Sequence, residues 1–136
     1  MSADPLIRVA GLRKTFGNHR VLDGLDLEVH AGEAVAMLGA NGAGKTTLLK
    51  ILATLVRPTR GTAAVAGHDC ARNPEGARPH IGLVAHGAYV YEDLTALENL
   101  KFWTTLAGLS PTAGALAGAL ASVELERAAD ERVRTF

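Results

Sequence analysis

The residues best suited to do chemistry lie in the segment GANGAGKTTLLK, which runs from Gly39 to Lys50. Two of its glycines enclose four residues, and Lys45 and Thr46 follow at once, which is the spacing of a loop that wraps backbone N–H groups around phosphate oxygens. Glycine suits such a loop because the backbone must approach the phosphates closely and adopt positive φ. The predicted phosphate-binding residues are Gly39, Ala40, Asn41, Gly42, Ala43, Gly44, Lys45, Thr46 and Thr47.

The polar groups of this loop predict a magnesium nucleotide as the ligand. Lys45 would supply a positive charge to the β- and γ-phosphates, and the hydroxyl group of Thr46 would ligate Mg²⁺. A helix that starts at the end of the loop would add the partial positive charge of its N-terminus. A glycine-rich turn without a ligand is the alternative. The strand predicted before the loop and the helix predicted after it argue against that alternative, because the motif requires both.

The elements on either side of the loop are predicted from hydrophobic periodicity. Residues Glu33–Leu38 form a short apolar run between two glycines, which is the pattern of a strand buried on both faces. From Thr46 onward, leucines recur at helical spacing as far as Leu55. This helix is expected to end at Arg57, because the following Pro58 disfavours helical geometry at the residue before it.

Further strands are predicted before the loop and after its helix. Ile7–Leu12 and Leu25–Val29 are expected to pair as antiparallel strands around the turn residues Phe16–His19. Two more short strands are expected at Thr62–Ala66 and His80–Ala85. The first two-thirds of the chain is therefore predicted to be rich in strands.

The last third of the chain is predicted to be helical, with the change of character near residues 88–93. Thr95 and Glu98 have the spacing of a capping box, which opens a helix through about Gly108. A second helix is expected to start at Ser110. Its expected apolar stripe is Leu116, Leu120 and Val123.

Composition and charge restrict the possible functions. Fourteen basic residues balance fourteen acidic ones, so the formal net charge is zero. A neutral chain has no dominant electrostatic hold on nucleic acid or anionic lipid. No run of about 18 apolar residues and no signal-peptide pattern occurs, so a cytoplasmic chain is expected. Cys70 is the single cysteine, so neither an intrachain disulfide nor a thiolate metal cluster is expected.

Two longer stretches extend the phosphate-loop pattern over most of the chain. They are GLRKTFGNHRVLDGLDLEVHAGEAVAMLGANGAGKTTLLKILATLVRPTRGT and IGLVAHGAYVYEDLTALENLKFW. Through them the chain resembles the ATP-binding subunits of ABC transporters over essentially all 136 residues. The resemblance implies an α/β fold of the P-loop NTPase class, and specifically the N-terminal part of one ABC-type ATP-binding domain. An antiparallel β-subdomain and P-loop core would occupy residues 1–90, and the start of the helical subdomain residues 91–136.

Further site residues are implied by that resemblance alone. Phe16 occupies the place of an aromatic residue that stacks on adenine; an aromatic that plugs the small core is the alternative. His86 stands where the family places a glutamine that ligates Mg²⁺ and senses the membrane partner. An imidazole can ligate a metal or hold the attacking water, although it prefers softer metals than Mg²⁺, and a solvent-facing histidine is the alternative. Tyr89 and Tyr91 would suit docking onto a membrane partner, or would fold back onto the helical subdomain.

The resemblance also implies ligands, partners and a location. ATP and Mg²⁺ are the expected cofactors. Transmembrane permease subunits and a second ATP-binding subunit are the expected partners, at the inner face of the cell membrane and without nucleic acid. The stretch AHGAYVYEDLTALENLKFW resembles most the CcmA-like subfamily, which includes the haem exporter of cytochrome c maturation, and this favours haem as the cargo.

Three motifs of that family are not found in the 136 residues: the glycine-rich signature sequence, the apolar strand ending in Asp-Glu, and the switch histidine. The last residues, ADERVRTF, resemble the lead-in to the signature sequence, so the chain is interpreted as the N-terminal portion of a longer ATPase. Without the acidic motif, Mg²⁺ and the attacking water lose protein partners. The chain alone is therefore expected to bind ATP and to hydrolyse it very slowly, if at all.

Three other functions are alternatives to transport. A non-transport ABC protein that acts on nucleic acid or ribosomes is disfavoured by the neutral charge. A small nucleotide kinase needs a lid of converging arginines, and it leaves Phe16 and the LTALENL segment unexplained. A nucleotide-binding module without turnover is the third alternative, which is tested by binding without hydrolysis.

Overall fold

The computed structural model describes residues 4–85 and 89–136. The chain divides into a first unit, Met1–Val84, and a second unit, Ala85–Phe136. The first unit contains the sheet and the glycine loop, and the second contains the two longest helices after the loop. No helix in residues 4–85 or 89–136 is long and apolar enough to cross a membrane.

A four-stranded antiparallel sheet forms the first unit's framework. Its strands are β1 (Ile7–Phe16), β2 (His19–Val29), β3 (Arg60–Val65) and β4 (His68–Asp69), in the order β2-β1-β3-β4. The antiparallel hairpin predicted around the turn residues Phe16–His19 is confirmed. Both of its strands are longer than the apolar patterns indicated. The reason is that polar residues near a hairpin turn still complete backbone hydrogen bonds.

The core of the first unit lies between this sheet and helix α1 (Lys45–Leu52). Leu12 and Ile51 are the largest fully buried side chains there, and Leu48 is 4% exposed. These leucine and isoleucine positions face the sheet because residues three and four apart share one face of a helix. A short helix α2 (Pro74–Ala77) and a 3₁₀ turn (Arg78–His80) follow β4.

Helix α1 ends earlier than its sequence pattern predicts. Thr54 adopts a left-handed conformation with φ of 63°, and the Leu55 N–H donates to the Lys50 carbonyl over 2.8 Å. The Thr54 N–H also donates to the Ile51 carbonyl, which completes a Schellman ending. Leu55 is therefore outside the helix and 58% exposed, and the predicted helix end at Arg57 is wrong.

Two predicted strands do not form. Residues 33–38 and 81–85 belong to no strand, and His80 closes the 3₁₀ turn instead. Val35 is 53% exposed and Leu38 is 92% exposed, so the expected burial on both faces is also wrong. A strand exists only when a neighbour completes its hydrogen bonds, and no segment within the described part of the chain pairs with either run.

The second unit consists of α3 (Ala96–Leu106), α4 (Ala113–Ala121) and two 3₁₀ turns, Glu126–Ala128 and Val133–Thr135. The predicted capping box at the start of α3 is confirmed, with both reciprocal hydrogen bonds present. Helix α4 begins later than predicted, because the Thr112 hydroxyl caps it rather than Ser110. Leu116 and Leu120 are buried as predicted, whereas Val123 is 61% exposed beyond the helix end.

Candidate functional site

The glycine loop precedes α1 and adopts a conformation that only its glycines allow readily. Gly42 has φ of 84° and Gly44 has φ of 93°, both in the left-handed region. A Cβ atom on Gly44 would lie 2.8 Å from the Val21 carbonyl oxygen and 2.7 Å from Leu22 Cδ2. The loop is thus packed directly against β2, and glycine is required at residue 44 for space as well as for backbone conformation.

The side chain of Lys45 folds back across the mouth of this loop. Its Nζ atom donates hydrogen bonds to the carbonyl oxygens of Gly39 and Ala40, the second over 2.9 Å. The ammonium group is therefore held by backbone oxygens of its own loop. The ammonium group can exchange these partners for phosphate oxygens while the backbone of α1 stays in place, because a lysine head group is a mobile point charge on a flexible stem.

A cleft of 450 Å³ opens beside the loop and lies in the size range of small-ligand sites. Its lining comes from the loop, the start of α1 and the start of β2. The lining residues are His19, Val21, Asn41, Gly42, Ala43, Gly44, Lys45, Thr46 and Thr47. Among the described side chains none caps the N-terminus of α1, so the N–H groups of its first turn remain available to a ligand.

Gly39 and Ala40 do not line this cleft; they contribute their carbonyl groups to Lys45. The structure therefore brings seven of the nine predicted loop residues together and assigns the other two to positioning the lysine. The hydroxyl of Thr46 is a hard oxygen ligand at the cleft and is the group there that would hold Mg²⁺ beside bound phosphates. No cluster of three histidine, cysteine or acidic side chains suited to a metal exists in the part of the chain that the structure describes.

Phe16 lies at the end of β1, beside the hairpin turn. Its ring is not part of the buried core, and the residue is 50% exposed. Lys14 Nζ lies 4.7 Å from the ring centroid, and Phe16 pairs with His19 across the hairpin. The ring is thus accessible next to a residue of the cleft, as an adenine platform requires. His86, the proposed metal or water ligand, lies outside the described residues.

Two cleft residues, His19 and Val21, are not predicted from the sequence. Their signal is the alternation of β2, in which residues two apart share one face. That alternation identifies them only once β2 is known to pack against the loop.

In the second unit, Tyr91 forms an aromatic cluster with Phe102 and Trp103. The ring centroids of Tyr91 and Phe102 are 5.0 Å apart, and all three residues remain 38% to 49% exposed. Asn99, which the sequence pattern does not single out, holds the backbone of Tyr91 through two hydrogen bonds. Tyr89 is 66% exposed. Tyr91 therefore packs on α3 as the second interpretation expects, whereas docking of the exposed Tyr89 onto a membrane partner stays a prediction.

The glycine loop, its lysine and the helix that follows define the fold of a P-loop NTPase. Residues 22–136 match the family described as ABC transporter, and the chain belongs to this family. It is similar to a structure of the ATP-binding subunit of an ABC transporter, with a TM-score of 0.81 and 31% sequence identity over 96% of this chain and 55% of that one. The family implied by the sequence is therefore confirmed.

Curated relatives agree with this assignment. The chain is 38% identical to the doxorubicin resistance ATP-binding protein DrrA of Mycobacterium tuberculosis, over 98% of this chain and 41% of that protein. It is 44% identical to the daunorubicin resistance ATP-binding protein DrrA3 of Streptomyces coeruleorubidus, over 76% of this chain and 33% of that protein. The chain thus spans between a third and two-fifths of the length of these relatives.

Proposed function

We propose that this chain binds Mg-ATP as part of the ATP-binding subunit of an ABC transporter. The observation that carries the proposal is the position of Lys45, whose ammonium group lies at the mouth of a loop that has two left-handed glycines and opens onto the free N-terminus of α1. Membership of the ABC transporter family supports it. Each of these features favours a multiply charged anion over a neutral ligand.

In this proposal each residue of the site has a defined part. Lys45 exchanges the Ala40 carbonyl for β- and γ-phosphate oxygens, and the hydroxyl of Thr46 holds Mg²⁺, which neutralises phosphate charge when it is bound. The N–H groups of the loop and of the first turn of α1 donate to the remaining phosphate oxygens. Phe16 stacks on adenine, with Lys14 on its ring. His86 takes the place of the family's glutamine at the metal or the attacking water.

Turnover is proposed to require groups that the 136 residues do not carry. The acids Glu92 and Asp93 follow a short apolar stretch but are in the reverse order, and they lead into the cap of α3. An attacking water near Lys45 therefore has no carboxylate base from the Asp-Glu motif. The expected behaviour of the chain alone is Mg-ATP binding with very slow or no hydrolysis.

We propose that the cargo of the complete transporter is a drug-like compound, which the transporter exports. Both relatives named above carry doxorubicin or daunorubicin resistance in their names. Haem, the cargo favoured by the likeness of the loop around His86 to the CcmA-like subfamily, has no support from these names. Permease subunits and a second copy of the ATP-binding subunit are the proposed partners, at the inner face of the membrane. Tyr89, which is exposed, is a candidate contact with the permease.

Calorimetric titration of the purified chain with Mg-ATP tests the nucleotide-binding proposal. Wild type is expected to bind, whereas Lys45→Ala should weaken binding by about a hundredfold or more, because the phosphates lose a direct charge partner. Lys50→Ala is the matched control, since Lys50 is exposed on the same helix and away from the cleft. Equal affinities of the wild type and the Lys45→Ala variant would contradict the proposed site.

The proposed role of His86 is tested by the magnesium dependence of the same titration. His86→Gln should keep the gain in ATP affinity that Mg²⁺ provides, because glutamine offers an oxygen ligand. His86→Ala should lose part of that gain. Identical magnesium dependence in wild type and both variants would remove His86 from the metal site.

A further inference from the structure

The first residues of β2 are fixed against the glycine loop. Gly44 lies so close to Val21 that an added Cβ would come within 2.8 Å of the Val21 carbonyl oxygen and 3.3 Å of its Cγ1 atom. His19 and Val21 are two residues apart on the strand, and both line the cleft. The packing of β2 onto the loop therefore places His19 beside the residues of the loop.

His19 also lies between the two parts of the proposed nucleotide site. Across the hairpin it pairs with Phe16, the proposed adenine platform. Within the cleft it shares the lining with residues 41–47, which would hold the phosphates. Its side chain is exposed, and no hydrogen bond or ion pair engages it among residues 4–85 and 89–136. The imidazole is thus free to contact the part of a ligand that joins base and terminal phosphates.

We propose that His19 contacts the α-phosphate of the bound nucleotide and so positions the segment between Phe16 and Lys45. This inference rests on the proposed function. An imidazole N–H can donate a hydrogen bond to an anionic phosphate oxygen. Removal of the imidazole should therefore weaken nucleotide binding.

The other charged side chains near His19 have their own places in the structure. Lys45 of α1 lines the cleft beside the phosphate loop. On the hairpin, Lys14 lies over the Phe16 ring, and Arg20 is paired with Asp23 over 2.9 Å. The α-phosphate is common to ATP and ADP, so a contact with it should contribute equally to the binding of both nucleotides.

Titration of the full chain with Mg-ATP and with Mg-ADP tests the inference. His19→Ala should weaken binding about tenfold, by the same factor for both nucleotides. His19→Gln should keep most of the wild-type affinity, because an amide also donates a hydrogen bond. The matched control is His30→Ala, the same substitution just beyond the far end of β2, where His30 faces Glu33.

The outcomes separate this inference from the proposed function. Binding that depends on Lys45 but is unchanged by His19→Ala overturns the role of His19 alone. A loss confined to ATP would assign the contact to the γ-phosphate and overturn the placement. Absence of nucleotide binding in wild type contradicts the proposed function, and the inference with it. Because His19 is exposed, circular dichroism should show equal melting of wild type and variants, so a changed affinity reports on the contact.

Discussion

The carbonyl group of Val21 leaves no space for a side chain on Gly44, since a Cβ atom there would lie 2.8 Å from the carbonyl oxygen. Gly44 is also the residue immediately before α1, where φ is 93°. Close approach and left-handed backbone together restrict this position to glycine. The loop proposed to hold phosphates is in this way braced by the first hairpin of the sheet.

Gly44→Ala is therefore expected to destabilise the chain by about 3 kcal/mol, through steric overlap and backbone strain together. Gly42→Ala is the control, because Gly42 has a similar φ of 84° but no atom within 4 Å of its added Cβ. That variant should lose only about 1 kcal/mol. Urea unfolding of both variants measures the difference, and equal losses would show that β2 does not brace the loop.

Asn99→Ala is expected to release the backbone that precedes α3. Asn99 is 4% exposed, its Oδ1 accepts from the Tyr91 N–H over 2.7 Å, and its Nδ2 donates to the Tyr91 carbonyl over 2.9 Å. The variant leaves both groups without these partners and should cost about 2–3 kcal/mol. Hydrogen exchange at the Tyr91 amide should accelerate, whereas Lys101→Ala on the exposed face of α3 should leave it unchanged. Persistent protection in Asn99→Ala would contradict this account.

Alanine substitutions at two threonines, one at the start of α3 and one near its end, are expected to change stability differently. Thr95 Oγ1 accepts from the Glu98 N–H over 3.1 Å, so Thr95→Ala should cost about 1 kcal/mol. Thr105 lies in the last turns of the same helix, where its hydroxyl donates to the Lys101 carbonyl. Alanine there should be neutral or stabilise by a few tenths of a kcal/mol, because its helix propensity is higher. Thermal unfolding compares the two, and a similar loss at both positions would exclude capping as the cause.

Cys70 is expected to be unreactive while the chain is folded. Burial, with the nearby carboxylate of Asp69 as a smaller cause, raises the pKa of the thiol. Only the thiolate reacts with disulfide reagents, so modification should be slow in buffer near neutral pH and fast in denaturant. Equal rates in both conditions would show that the thiol is accessible in the folded chain.

The same raised pKa has a consequence for stability at alkaline pH. The folded state favours the neutral thiol, so its contribution to stability is complete below the ordinary value of 9.0 and is lost as pH rises through the raised value. Cys70→Ala removes this dependence while other groups still titrate. The difference in unfolding free energy between wild type and Cys70→Ala, measured across that range, should therefore shrink as pH rises.

Features that depend on neighbouring residues could be predicted from the amino-acid sequence. The residues from Gly39 to Thr47 indicate a phosphate loop because the spacing of glycines, lysine and threonine is itself the binding geometry. Thr95 and Glu98 predict the start of α3 for the same reason, since a capping box closes within four residues. The family resemblance carried by the longer stretches is also confirmed, whereas its finer assignment to haem export is not supported by the relatives' names.

Features that depend on distant partners required the folded chain. Residues 33–38 read as a strand, yet they form none, because a strand needs a hydrogen-bonded neighbour as well as an apolar pattern. Helix α1 is terminated by Thr54 in a left-handed conformation, although glycine is the residue usually found at such a position. His19 lines the cleft, and Asn99 is buried, only because one segment of the chain packs on another. Local spacing therefore encodes the chemistry of the loop, while long-range contacts select which other side chains can reach it.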